Sequence, residues 1–256
     1  MRFMNADQPA RPANIGNIVA INQGRRPLTT GMPSAPALAL AAFEDLHGRG
    51  LPVLDTRSTA AFGVGHIPGA YHVPLTHAEF EQRVGWVMPP DAPMLLVLDR
   101  DADVGRALRA LAFVGLDGRV EGCLKRGMGA WVAAGRPMAT LPQITVHQLR
   151  DRLAADRGLR ALDVREISEW NAGHIDDARY MNYKQLGDRL GDLGLAPGDP
   201  VAVVCAAGTR SSTACSMLEM RGYRNLHNVT GGMTAWAAAG LPMVDAAGCA
   251  VGSRAR

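Results

Sequence analysis

The chain has 256 residues, 47% of them hydrophobic and 20% charged, with 27 Lys plus Arg against 24 Asp plus Glu. That length gives one large domain or two small ones, each able to bury a core. A net charge of +3 spread over scattered basic residues argues against a nucleic-acid surface, and the Arg25-Arg26 pair reads as a solvated loop. No apolar run reaches the ~18–20 residues of a membrane span. Met1-Arg2-Phe3-Met4-Asn5-Ala6-Asp7 lacks the apolar stretch of a secretory signal, so a soluble, cytoplasmic chain is expected. The four cysteines, Cys123, Cys205, Cys215 and Cys249, form no CxxC pair and no zinc-spaced cluster with His, so neither a metal nor a cofactor is expected.

Residues 1–32 stand apart. Pro12 and Gly24 bracket Ile15, Ile18 and Val19 at helical spacing, which predicts one short helix and then a linker rich in Pro, Thr and Gly. Beyond them the chain repeats itself. Pro52-Val53-Leu54-Asp55-Thr56-Arg57 reads as the same strand end as Arg160-Ala161-Leu162-Asp163-Val164-Arg165. Each Asp is followed by a Gly-His-Ile, at Gly65-His66-Ile67 and Gly173-His174-Ile175. Apolar strands follow at Met94–Leu98 and Pro200–Val204, and both halves close on Gly-Met-x-Ala-Trp, at Gly127–Trp131 and Gly232–Trp236. The period of roughly 105 residues means two domains, 33–141 and 142–247, with a tail at 248–256.

Short apolar strands alternate with amphipathic helices in each half, which predicts α/β units on a mostly parallel sheet flanked by helices. Thr145-Val146-His147-Gln148 reads as a capping box opening a helix through Leu153. Ser211 to Arg221 carries Ala214, Met217 and Leu218 at helical spacing, with Gly222 as its stop.

The chemistry is expected in Val201–Ser212. Cys205 ends a strand, where open parallel sheets place ligands, and Ala206-Ala207-Gly208-Thr209 leads into a helix. Small side chains let successive backbone N–H groups curl round one centre, and the helix N-terminus adds positive potential. Both favour a thiolate, and Arg210 adds a planar fork for an oxyanion. A core cysteine that merely packs would sit inside the strand rather than at its end. Ser211, Asp163 and Arg165 are candidates for supporting roles. Asp163, Arg165 and His174 recur as Asp55, Arg57 and His66 in the half without the loop cysteine, which favours strand-end hydrogen bonds and a buried ion pair. Trp131 and Trp236 read as core anchors. Cys215 reads as a small apolar helix residue, Cys123 as the strand counterpart of Asn228, and Cys249 as a mobile tail thiol whose alternative is a resolving cysteine.

Asp-x-Arg, Gly-His-Ile, a strand ending in Cys-x-x-Gly-x-Arg-Ser and a closing Gly-Gly-Met-x-Ala-Trp resemble the rhodanese homology domain, twice over, across residues ~35–245. The resemblance implies that Cys205 accepts a sulfane sulfur, that the loop Ala206, Ala207, Gly208, Thr209 and Arg210 cradles the persulfide, and that the sulfur passes to a thiophilic acceptor by double displacement. Thiosulfate or glutathione persulfide would be the donor, and cyanide or a thiol the acceptor. In the first half, Asp99 is read at the position of Cys205, in a loop one residue shorter. That half then lacks the nucleophile and serves to cover the second and shape its entrance. Glu169 falls near a position where some thiosulfate-using tandem members place an arginine, which counts against thiosulfate as the preferred donor.

Cys-Ala-Ala-Gly-x-Arg-Ser and the leader Arg11–Gly24 are also similar to the rhodanese part of metallo-β-lactamase-fold persulfide dioxygenase fusions, without their His-x-His-x-Asp-His string. That likeness implies persulfide handling and a metal-dependent persulfide dioxygenase as partner protein. Two other readings compete. A Cys-dependent phosphatase or arsenate reductase carries five residues between Cys and Arg, and here there are four, Ala206 to Thr209. A non-catalytic docking or redox-sensing module fits the first half but not the intact Cys205 loop.

Overall fold

Two parallel sheets carry the chain, each followed on both faces by the helices that connect its strands. The computed structural model describes residues 12, 14–26, 29–89 and 91–251. The first seven residues, and Arg11 and Ala13 of the leader, lie outside them. The expected leader helix is α1, Ile15–Asn22. It docks on the first half, where Asn14 donates to the Val114 carbonyl.

The first half runs β1 (Ala37–Leu38), α2 (Leu40–Gly48), β2 (Val53–Asp55), α3 (Thr59–Val64), β3 (Tyr71–His72), α4 (Phe80–Val87), β4 (Met94–Val97), α5 (Val104–Ala112), β5 (Val120–Leu124) and α6 (Gly127–Ala133). The second runs β6 (Gln143–Ile144), α7 (Val146–Ala155), β7 (Arg160–Asp163), α8 (Ile167–Ala172), β8 (Arg179–Tyr180), α9 (Leu186–Arg189), β9 (Val201–Val204), α10 (Thr209–Met220), β10 (Leu226–Val229) and α11 (Gly232–Ala238). The sheet orders are β1-β5-β4-β2-β3 and β6-β10-β9-β7-β8, with every ladder parallel. The two halves are the same fold.

Local signals act as the sequence predicts. Thr145 and Gln148 close a reciprocal capping box at the start of α7. Asp163 is fully buried and takes Arg165 in a side-on pair at 2.7–3.0 Å, while Arg165 Nη2 also donates to the Gly173 carbonyl. Asp55, Arg57 and Gly65 repeat that arrangement. The pair therefore ties a strand end to the turn after the next helix, a structural task both halves need. Trp131 and Trp236 are buried and donate to the Pro137 and Pro242 carbonyls.

Two expectations are corrected. The tail around Cys249 is a short hairpin: β11 (Met243–Val244) pairs antiparallel with β12 (Ala250–Val251), and the Cys249 backbone closes on Asp245. And α10 is not amphipathic. Ser211 through Leu218 are all buried, because the helix lies between its own sheet and the edge of the first sheet. Edge strand β3 has a free N–H at His72, and Ser216 Oγ accepts it at 3.0 Å. Ser212 Oγ donates to His72 Nδ1 at 2.9 Å, and His72 Nε2 donates to the Arg57 carbonyl. Nearby, His66 bonds Glu219 of α10 at 3.0 Å. The hydroxyls of Ser212 and Ser216 are a contact between the halves, and one hydrophobic cluster runs through both.

Burial pushes the His72 imidazole down to about 3, so it stays neutral in the fold. The unfolded chain binds a proton near the ordinary value of 6.5, so stability is lost as pH falls through that value. From this residue alone, unfolding free energy should drop by about 2 kcal/mol between about pH 7 and about pH 5. Urea denaturation at both pH values, compared with a His72→Gln variant that removes this slope, measures it.

Candidate active site

Cys205 follows β9, the middle strand of its sheet, and lies at the carboxyl end where the chain turns into α10. Gly208 caps that helix with φ +101°, a conformation that glycine adopts without strain. Its N–H donates to Cys205 Sγ at 3.1 Å. Ser211 Oγ lies 3.4 Å from the sulfur and donates to Asn228 Oδ1 at 2.6 Å, and Asn228 in turn donates to Gln143. The thiol therefore gives its proton to Ser211, whereas a thiolate would draw the same hydroxyl round to itself. Cys205 is fully buried beneath its loop.

From the other side, the first turn of α11 holds the loop. Met233 N–H donates to the Cys205 carbonyl at 2.7 Å and Thr234 N–H to that of Ala206 at 3.0 Å. This approach requires Gly232, at φ +50°: a Cβ there would strike the Cys205 carbonyl and come within 2.7 Å of Ala206. The closing Gly-Gly is thus part of the loop's support.

Two of the other cysteines are buried and held as thiols. Burial pushes Cys123 up to about 12 and Cys215 well above its ordinary value, and neither lies on the loop. Cys249 is exposed in the hairpin turn.

Arg210 does not present an open fork. Its Nη1 and Nη2 hold both oxygens of Glu169 at 2.6 and 2.8 Å. That pairing draws the Glu169 carboxyl below its usual range and raises Arg210. Lys184 is likewise matched by Glu166 at 2.7 Å. Over these residues lies a cavity of about 380 Å³. Its opposite wall comes from the first half, through His77, Glu79 and Arg83. Arg83 is absent from the sequence reading. The available signal was its place among Phe80, Val84 and Val87 on the buried stripe of α4, where a charge is out of pattern.

Sheet register corrects the reading of the first loop. Asp55 pairs with Val97 as Asp163 pairs with Val204, so Leu98 and not Asp99 stands where Cys205 stands. A Cβ at Gly127 would meet the Leu98 carbonyl just as one at Gly232 meets that of Cys205. The loops are then equal in length, with Asp101 at the position of Gly208 and Asp103 at that of Arg210. A buried leucine and two carboxylates leave this loop without a nucleophile or an anion cradle.

A parallel α/β domain with a cysteine loop between strand and helix, beside a second copy without the cysteine, defines the class as a tandem Cys-loop fold. A family model described as the rhodanese-like domain matches residues 39–134 and again 145–239, and the chain belongs to that family. A sulfurtransferase of Allochromatium vinosum is 34% identical over 103 residues, covering 40% of this chain and 94% of that protein. The thiosulfate sulfurtransferase GlpE of Shewanella oneidensis is 29% identical over 99 residues, 39% of this chain and 95% of its own length. YrkF of Bacillus subtilis, named as a sulfur carrier protein, is 28% identical over 98 residues, 38% of this chain and only 52% of YrkF. Among solved structures, a rhodanese-like domain protein of Staphylococcus aureus is 30% identical, with a TM-score of 0.35, over 38% of this chain and 91% of that one. No helix among the described residues is long and apolar enough to cross a membrane.

The matched glycines give a differential test. Gly232→Ala and Gly127→Ala should each destabilise by about 2 kcal/mol or more, from strain at positive φ and a displaced carbonyl. Only Gly232→Ala should also slow alkylation or sulfur loading of Cys205, followed by peptide mass mapping.

Proposed function

We propose that the chain is a sulfurtransferase that carries a sulfane sulfur on Cys205. The observation that carries the reading is the placement of Cys205 Sγ, with the Gly208 N–H at 3.1 Å and the head of a 12-residue helix behind it. Those donors stabilise a negative sulfur, whether thiolate or persulfide. In the first step the thiolate attacks the outer sulfur of the donor. With thiosulfate, the S–S bond breaks, its electron pair leaves on sulfite, and Cys205 becomes a persulfide anion. In the second, cyanide or a thiolate attacks the terminal sulfur and the thiolate returns as leaving group.

The backbone loop from Ala206 to Thr209 is the cradle in this scheme, and Ser211 reports the charge of the sulfur through its hydroxyl. Arg210, locked to Glu169, shapes the loop. Asp163 and Arg165 stay structural, as their recurrence in the first half indicates. Thiosulfate and glutathione persulfide are both donors in the proposal, in the cytoplasm. The likeness to persulfide dioxygenase fusions extends it to a metal-dependent persulfide dioxygenase as a partner sharing the same persulfide. Four residues between Cys205 and Arg210, with the arginine already saturated, weigh against the phosphatase reading.

Reduced protein incubated with thiosulfate, and separately with glutathione persulfide, should gain one sulfur atom on the Cys205 peptide in intact-mass and mapping experiments. Cys205→Ser should gain none, while Cys123→Ser and Cys215→Ser should behave like the parent. An unmodified Cys205 with both donors would leave a docking or redox-sensing module instead.

A further inference from the structure

We propose that Arg83, contributed by the half that lacks the cysteine, binds the oxyanion end of the sulfur donor and makes the site selective for donors with a compact anionic leaving group such as sulfite. The inference rests on the sulfurtransferase reading for the identity of the ligand, but not for the binding itself.

Arg83 is a buried cation with two of its three nitrogens left without a hydrogen-bond partner. Its side chain is 1% exposed, and Nε and Nη1 have no partner. Nη2 lies 3.0 Å from His77 Nε2, but His77 Nδ1 already accepts the Glu79 N–H at 3.2 Å. Burial first, and then the neighbouring Arg83 charge, lower the His77 pKa and keep the ring neutral. A neutral imidazole has one lone pair for those two donors, so it cannot satisfy both. Glu79 is the nearest carboxylate, at 3.9 Å, beyond hydrogen-bond reach and largely exposed. The Tyr183 ring lies 5.6 Å from the guanidinium carbon, and its hydroxyl is an acceptor beside the guanidinium, yet Nε and Nη1 remain without a partner.

The rest of the cavity explains why an incoming anion would choose this residue. Arg210 and Lys184 are each matched by a glutamate at hydrogen-bond distance. Arg83 shares the cavity wall with Arg210, the residue that closes the Cys205 loop. An oxyanion held in the cavity would draw the guanidinium toward it, give the buried Nε and Nη1 N–H groups the acceptors they lack, and present its sulfane sulfur toward Cys205. The reaction leaves sulfite on Arg83 as the S–S bond breaks, so the same contact stabilises the charge gathering on the leaving group. A donor without an anionic tail gains nothing from it.

Binding and transfer are separable by experiment. In the Cys205→Ser protein, calorimetric titration with sulfite should show binding that Arg83→Met weakens by about tenfold or more, with partial recovery in Arg83→Lys. Met replaces the side chain at similar volume and leaves no unpaired donor, and thermal melts check that both variants fold. In the parent with Cys205 intact, Arg83→Met should cut kcat/KM for thiosulfate by a similar factor and change that for benzyl persulfide by less than about threefold. Equal sulfite affinity in the Cys205→Ser and doubly substituted proteins, or no binding in either, overturns the role of Arg83. So does an equal loss on both donors. A parent that binds sulfite through Arg83 yet loads no sulfur on Cys205 overturns the sulfurtransferase reading and leaves the anion site standing.

Discussion

The burial of α10 on every side is the constraint on which the rest of the molecule depends. A helix between two sheets has no solvent face on which to leave polar groups unpaired. Its residues next to the first sheet are therefore small, and their hydroxyls are spent on the neighbouring strand: Ser216 on the His72 N–H and Ser212 on the His72 ring. Small side chains also let the sheet edge come close. Because the same helix begins at Gly208, its position fixes the N–H that faces Cys205 Sγ. The geometry of the thiol is set jointly by both halves.

Electrostatic matching follows the same economy. The Asp–Arg pair at each strand end satisfies itself and a turn carbonyl, so it can be buried in both copies at little net cost. Around the cavity between the halves, Arg210 and Lys184 are each answered by a glutamate, while two nitrogens of Arg83 have no partner. Unsatisfied buried donors cost about 1–3 kcal/mol each, which a fold retains only where packing or a ligand compensates.

The repeat, the strand ends, the capping box at Thr145 and the cysteine loop are legible in the sequence because each rests on local pattern: apolar runs, Gly stops and small residues at one turn. What escapes is long-range. The helical spacing of Ala214, Met217 and Leu218 marks one apolar face of α10, and nothing in the neighbouring hydroxyls announces β3. Assigning Asp99 to the Cys205 position fails because a strand end is defined by its ladder, and a slip of one residue goes unseen until Asp55 is paired with Val97. Cys249 reads as loose because its hairpin needs Met243 as partner. Arg83 was missed although it breaks the apolar stripe of α4; a lone charge in a helix ordinarily reads as solvent-facing.

Leu98 at the position of Cys205 has a consequence for how the two copies can diverge. With Leu98 in place of a cysteine, the first copy's loop has no sulfur to cradle, and aspartates are tolerated there. Its edge strand has had no such freedom, because β3 shields hydroxyls that belong to the other copy's helix. Drift is thus permitted at one end of the first sheet and forbidden at its rim. The silent copy behaves as an inherited chaperone of its sibling's geometry, and a chain shortened to the second copy alone would have to reinvent the face of α10 before it could reuse the cysteine.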